Sequence, residues 1–263
     1  MLLHDKTVVI FGAGGAIGKE VAREFAREGA AVYLSGRHLA PVEDVASEIR
    51  GSNGSTEAAE VDAIDEQAVT AYLDRVAQAA GSIDILFNAI GPQPQDYGNG
   101  TSTLELPLEK FLLPLSTLVA SQFITARAVA RHMLEQRSGV ILFLTAIPAR
   151  GNRNVSAIGS AFGAMESLLR CLAVDLGPAG VRVVGIRSGA MVETRTIQQS
   201  LETTADRLSV SKEQLVARLE QATLLGRLPT VGDTARLAAF LASDGARSLT
   251  GAIVNASSGA VID

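Results

Sequence analysis

The sequence predicts an α/β fold: a single domain on a doubly wound parallel sheet of about seven strands. Three observations lead there. Runs rich in β-branched and aliphatic residues alternate with amphipathic helical stretches from end to end. A glycine-rich turn follows the first of those runs. The composition is 47% hydrophobic with 25 glycines but only 4% aromatic residues, which suits aliphatic strands buried on both faces.

Taken in order, strands are expected at "TVVIF" (7–11), "AVYLS" (31–35), "EAAEV" (57–61) and "IDILFN" (83–88). Three more follow at "GVILFLT" (139–145), "VRVVGIR" (181–187) and "AIVNA" (252–256). Helical periodicity fills most gaps: Ile17–Arg27, Pro41–Arg50, Asp65–Ala79, about Leu115–Glu135, Ala157–Leu176 and Asp233–Ala242. No linker or repeat divides the chain, so residues 1–263 are read as one domain. Two segments break the rhythm. Residues 91–107, "GPQPQDYGNGTSTLELP", read as a loop, and about 190–225 read as a mostly helical insertion. Both leave carboxyl ends of strands, where doubly wound sheets hold ligands, so both are expected to border a cleft.

Composition narrows the function. A net charge of −5 gives no reason to expect nucleic acid or an anionic membrane as partner. The N-terminal "MLLHDKTVVIFG" lacks the pattern of a signal peptide, and no run approaches a membrane span, so a cytoplasmic protein is expected. The one cysteine, Cys171, suits a reducing compartment and is expected in the core. His4, His38 and His132 have no partners at ligand spacing, so no metal site is expected.

The turn "GAGGAIG" lies between a strand and a helix. Gly12, Gly14, Gly15 and Gly18 let the backbone approach a pyrophosphate, and Ile17 opens the helix whose free N–H groups would face it. Such a glycine pattern is weak by itself and also fits a tight turn with no ligand, but this strand–turn–helix context is the one expected of a Rossmann-type dinucleotide site. At the tip of the second strand, Gly36 is followed by Arg37 rather than a carboxylate. A guanidinium there pairs with a 2′-phosphate, which favours NADP over NAD.

Nearly end to end, the chain resembles the short-chain dehydrogenase/reductase family. "GAGGAIG" is similar to its TGxxxGIG, "EVDAID" to its DV pair, and "DILFNAIG" to its NNAG strand. The segment "GRLPTVGDTARLAAFLASDGARSLTGAIVNASSG" resembles its last helix and strand. The resemblance implies cofactor contacts from Asp62 and Ala63 to the adenine, and from Asn88, Ala89 and Gly91 beyond the fourth strand.

The family's proton chemistry does not carry over. It uses a tyrosine as acid/base, a lysine one helical turn later, a serine on the preceding strand and an asparagine in the middle helix. Aligning "RCLAVDLGPAGVRV" puts Ile158 at the tyrosine, Phe162 at the lysine and Leu118 at the asparagine. The serine falls on Ala146, or on Thr145 with a shift of one. Thr145 is thus the one catalytic candidate, a carbonyl-side hydroxyl. The segment "LTAIPARGNRNVSAIGSAFG" resembles a 2,4-dienoyl-CoA reductase branch, in which Tyr97 of the loop would donate a proton. That branch keeps the lysine, which is missing here.

Two functions stay open. One is an NADP-dependent oxidoreductase of non-standard mechanism, acting on a conjugated C=C or a carbonyl. The other is an inactive NADP-binding homologue: a sensor, a scaffold or a partner subunit. The resemblance further implies a homodimer or homotetramer, paired through "LVASQFITARAVARHM" and "GAMESLLRCLAV".

Overall fold

Seven strands, all parallel, line up in one sheet of a computed structural model that describes residues 1–263. They are β1 (Thr7–Phe11), β2 (Ala31–Gly36), β3 (Thr56–Glu60), β4 (Ile85–Asn88), β5 (Gly139–Ala146), β6 (Val181–Ser188) and β7 (Ile253–Ala256). The order is β3-β2-β1-β4-β5-β6-β7, so the winding reverses between β1 and β4. That reversal opens the crevice above the strand ends where ligands bind in this architecture.

Nine α-helices accompany the sheet: α1 (Ala16–Arg27), α2 (Leu39–Gly51), α3 (Glu66–Ala80), α4 (Leu108–Pro114), α5 (Ala120–Gln136), α6 (Ser156–Leu176), α7 (Arg195–Leu208), α8 (Lys212–Gln221) and α9 (Val231–Ala242). Successive strand residues point to opposite faces, and the core follows that alternation. Val9, Phe11, Ile141, Phe143 and Val183 pack with apolar residues of α3, α5 and α6. Val8, Ile10, Val140, Leu142, Val184 and Ile186 pack with those of α1, α2 and α9 on the other face.

The helix expected from about 115 begins earlier, at Leu108, and is broken by one π turn, Leu115–Val119. Pro114 has no N–H to give the preceding turn, and the bonding frame widens directly after it. Hydroxyls bond to carbonyls along this stretch. Leu113 O accepts from Ser116 Oγ (3.1 Å) and Thr117 Oγ1 (2.7 Å), and Leu118 O accepts from Ser121 Oγ (3.0 Å).

By length and composition, Leu108–Gln136 and Ser156–Ala179 would suffice to cross a membrane. Here both are core helices laid on the sheet. Cys171 corrects an expectation: it is exposed. The face of α6 turned to the sheet runs through Ala161, Met165, Leu169 and Ala173, and residue 171 lies off that stripe. The 190–225 insertion folds as α7 and α8, with a small core of Leu201, Ala205 and Leu215.

Candidate functional site

The first βα turn is shaped by close backbone approach. Gly12 has φ +76°, and a Cβ there would lie 2.9 Å from the Ala89 carbonyl carbon beyond the neighbouring strand β4. A Cβ on Gly18 would overlap the Gly12 carbonyl oxygen. The helix α1 starts after Gly15 with no side-chain cap and no acidic residue in its first turn. Ala13 N–H bonds Ser35 O (3.0 Å) and Gly15 N–H bonds Gly12 O (3.2 Å). The N–H groups of Gly14, Ala16, Ile17 and Gly18 have no acceptor in the chain. Four free donors at the positive end of a helix make a cradle for a diphosphate.

The residues expected to face an adenosine lie at the adjacent strand ends. Arg37 is exposed just past β2, and its guanidinium makes no ion pair within the chain. The register pairs Gly36 with Glu60, which sets Arg37 beside the segment after β3 that carries Asp62 and Ala63. Asp62 is exposed, its carboxylate accepting from Ile64 N–H at 3.2 Å, and Ala63 is buried. Glu60, which sequence reasoning passed over, accepts from Leu39 N–H (3.2 Å) at the start of α2. Asn88 uses both ends of its amide internally: Nδ2 donates to Thr125 Oγ1 (3.2 Å) and Oδ1 accepts from Ile90 N–H (3.0 Å). It thereby ties the end of β4 to α5. Gly91 follows, exposed and with open space around it.

At the positions of the missing acid/base set the surface is hydrocarbon. Ile158 on α6 and Leu118 in the π turn are buried in the same apolar cluster, and Phe162 packs partly buried against it. Tyr97 of the 91–107 loop belongs to that cluster too, and burial pushes its phenol up to about 12.

Thr145 turns inward. It is 1% exposed, with Oγ1 3.1 Å from Glu166 Oε1 and 3.5 Å from Ile186 O. Glu166 in turn accepts from Arg187 Nε (2.8 Å) and Nη2 (2.9 Å), and Arg187 also bonds Asp263. The bonds to Glu166 hold the Arg187 guanidinium above its ordinary range. This buried network escaped sequence reasoning, because Glu166 and Arg187 sit on different elements with no motif to join them.

Three segments meet above the cleft. Gly100 N–H donates to Asn154 O (2.9 Å), Arg207 Nη1 to Gly100 O (2.6 Å), and Asn99 Nδ2 to Ser200 Oγ (3.1 Å). The 91–107 loop and α7 are therefore stitched to each other and to the segment before α6.

Known proteins share this frame. A family model described as enoyl-(acyl carrier protein) reductase matches residues 12–260. The 7alpha-hydroxysteroid dehydrogenase of Escherichia coli (strain K12) is 32% identical over 260 residues, spanning 98% of this chain and 95% of that protein. The L-rhamnose 1-dehydrogenase (NAD(P)(+)) of Azotobacter vinelandii is 33% identical over 258 residues, 96% of this chain and 95% of its own. A solved structure of 7 alpha-hydroxysteroid dehydrogenase complexed with NADH and 7-oxo glycochenodeoxycholic acid superposes with a TM-score of 0.86. It is 32% identical and covers 99% of this chain and 96% of that one.

Proposed function

The chain belongs to the short-chain dehydrogenase/reductase family, and on that premise we propose that it is an NADP-dependent oxidoreductase working without the family's phenol–ammonium pair. One observation carries the cofactor half. Four unpaired N–H groups at the Gly12–Gly18 turn stand beside an unpaired Arg37, a donor set that fits a dinucleotide with a 2′-phosphate. A bound nicotinamide supplies the hydride chemistry itself. The chain's part is to hold the diphosphate on the turn, seat the adenine beside Asp62 and Ala63, and keep water from the reacting face with Ile158, Phe162 and Leu118.

The hydrocarbon floor favours one acceptor class. Hydride addition to a ketone leaves a localised alkoxide that needs an acid in place. Addition to a conjugated C=C leaves an enolate, a far weaker base whose charge is shared between oxygen and carbon. A pocket without the tyrosine and lysine suits the second reaction, with the Tyr97 phenol in reach of the same apolar cluster as a hydrogen-bond donor. The relatives' hydroxysteroid and L-rhamnose names do not fix the substrate here.

The second reading, a dinucleotide-binding homologue without turnover, is favoured by Thr145, whose hydroxyl is already engaged by Glu166. Calorimetric titration with NADPH and NADH separates the two, followed by turnover assays with enones, ketones and alcohols. Tight NADPH binding with enone reduction supports the first reading. Tight binding with no turnover supports the second, and no binding of either nucleotide sinks both.

We further propose a homodimer or homotetramer, in a reducing cytoplasmic setting that suits the unpaired Cys171 thiol. Phe123 and Leu134 of α5 and Val174 of α6 stay exposed on the outer faces of those helices, as a pairing surface requires. Sedimentation showing a monomer at micromolar concentration would count against it.

A further inference from the structure

Glu60 closes β3, and its carboxylate reaches across to the start of α2, where Oε2 accepts from Leu39 N–H at 3.2 Å. The helix has no acceptor of its own at this end: its N-cap, His38, makes no side-chain cap bond, and its first turn holds no acidic residue. A carboxylate at a helix N-terminus bonds a free donor and also meets the positive end of the dipole. The turn held in this way borders the diphosphate cradle. Pro41 covers Gly14, where a Cβ would lie 3.0 Å from the proline Cβ, and Val42 covers Gly36, where a Cβ would lie 2.9 Å from the valine Cγ2. Arg37 and His38 form the link between β2 and α2, and both ends of that link are tied to the tip of β3. Gly36 O accepts from Val61 N–H at 2.9 Å, and Glu60 holds Leu39 N–H. The register sets Gly36 opposite Glu60, so the two strand tips present a cation and an anion close together, both exposed and not bonded to each other.

We propose that Glu60 tunes the choice of nucleotide through two opposed effects. As an acceptor it seats the first turn of α2 and the Arg37 link beside the diphosphate turn, which serves NADPH and NADH alike. As a carboxylate beside that link it repels a 2′-phosphate, and so keeps NADH within reach of a site that Arg37 alone would reserve for NADPH. The second effect rests on the NADP reading above; the first does not. Glu60 is a positioning residue in the first effect and a discriminating charge in the second.

Two variants of the full chain separate the effects. Glu60→Gln keeps an oxygen that accepts from Leu39 N–H but removes the charge, and Glu60→Ala removes both. Calorimetric titration with NADPH and NADH, at low and high salt, is paired with the Tm of each protein without nucleotide. In Glu60→Gln, NADPH should bind about 3–10-fold tighter, NADH should be unchanged, and the gain should shrink at about 0.5 M salt. Its Tm should stay at the wild-type value. In Glu60→Ala, NADH should bind roughly threefold or more weaker, and the Tm should fall by about 1–4 °C. NADPH affinity that is unchanged or weaker in Glu60→Gln overturns the repulsion. A Glu60→Ala protein that matches Glu60→Gln in Tm and in NADH affinity overturns the positioning. If the wild-type protein binds neither nucleotide, the repulsion falls with the NADP reading, while the two Tm values still decide whether Glu60 holds α2.

Discussion

Glu166 on α6 and Arg187 at the end of β6 meet through two parallel hydrogen bonds, at 2.8 and 2.9 Å, with both residues buried. Glu166 stands one turn beyond Phe162, where the family resemblance expects a lysine. The buried cation of this site is thus on the strand, and a carboxylate neutralises it. Removing Arg187 strands the buried Glu166 carboxylate, whereas removing Glu166 leaves Arg187 its bond to Asp263. Arg187→Leu should lose about 3 kcal/mol or more of stability, whereas Glu166→Leu with Arg187→Leu should recover most of it. Urea unfolding measures both; a double variant as unstable as the single would contradict the pairing.

The cradle at the first turn depends on the absence of side-chain volume at Gly18. Gly18→Ala should abolish dinucleotide binding and lower the Tm. Gly51→Ala, at the end of α2 with nothing within 4 Å, is the matched control and should leave binding untouched. Equal NADPH affinity in the two would show that the turn does not hold the diphosphate.

The proposed preference for NADP rests on Arg37. Arg37→Ala should weaken NADPH by ~1.5–3 kcal/mol, about 10–150-fold, and leave NADH nearly unchanged. Parallel losses for both nucleotides would mean the guanidinium does not read the 2′-phosphate.

Ile158→Tyr together with Phe162→Lys should confer NADPH-dependent ketone reduction, while either change alone should not. A phenol without the neighbouring ammonium keeps too high a pKa to serve as the acid. Absorbance assays of NADPH consumption decide it. A double variant that folds, binds NADPH and still reduces no ketone would show that more than the proton donor has been lost.

Tyr97 gives the protein an alkaline limit. Its folded phenol sits near 12, above the ordinary 10, so the unfolded chain releases that proton first as pH rises. The stabilisation is complete below pH 10 and is lost between about 10 and 12, amounting to roughly 2–3 kcal/mol. Tyr72, buried and also raised, acts in the same direction. Tyr97→Phe should flatten part of the fall in stability across that window; an unchanged slope would place the phenol in water.

Most of the frame was legible because it is local. All seven strands and the phosphate turn follow from runs and glycine spacing within a few residues, and strand bounds agree to within two residues. The helical turns before residue 115 are hard to read from sequence, because Pro107 precedes them and Pro114 stands where they meet the π turn, and proline disfavours an unbroken helix. Cys171 was misplaced because α6 is apolar on more than one face, so its sequence does not say which stripe meets the sheet. The inward turn of Thr145 was out of reach for a different reason. It depends on Glu166 and Arg187, residues 21 apart on separate elements, and a buried ion pair leaves no periodic trace.

The π turn at Leu115–Val119 amounts to one surplus residue absorbed without turning either flank. Shortening the chain by one position inside 115–119 would regularise the spiral while both ends keep their facing. The same shortening further along α5 would swing the remainder by about 100°, carrying Thr125 away from Asn88. Within this long rod, tolerance to a change of length is confined to the five residues that surround Leu118.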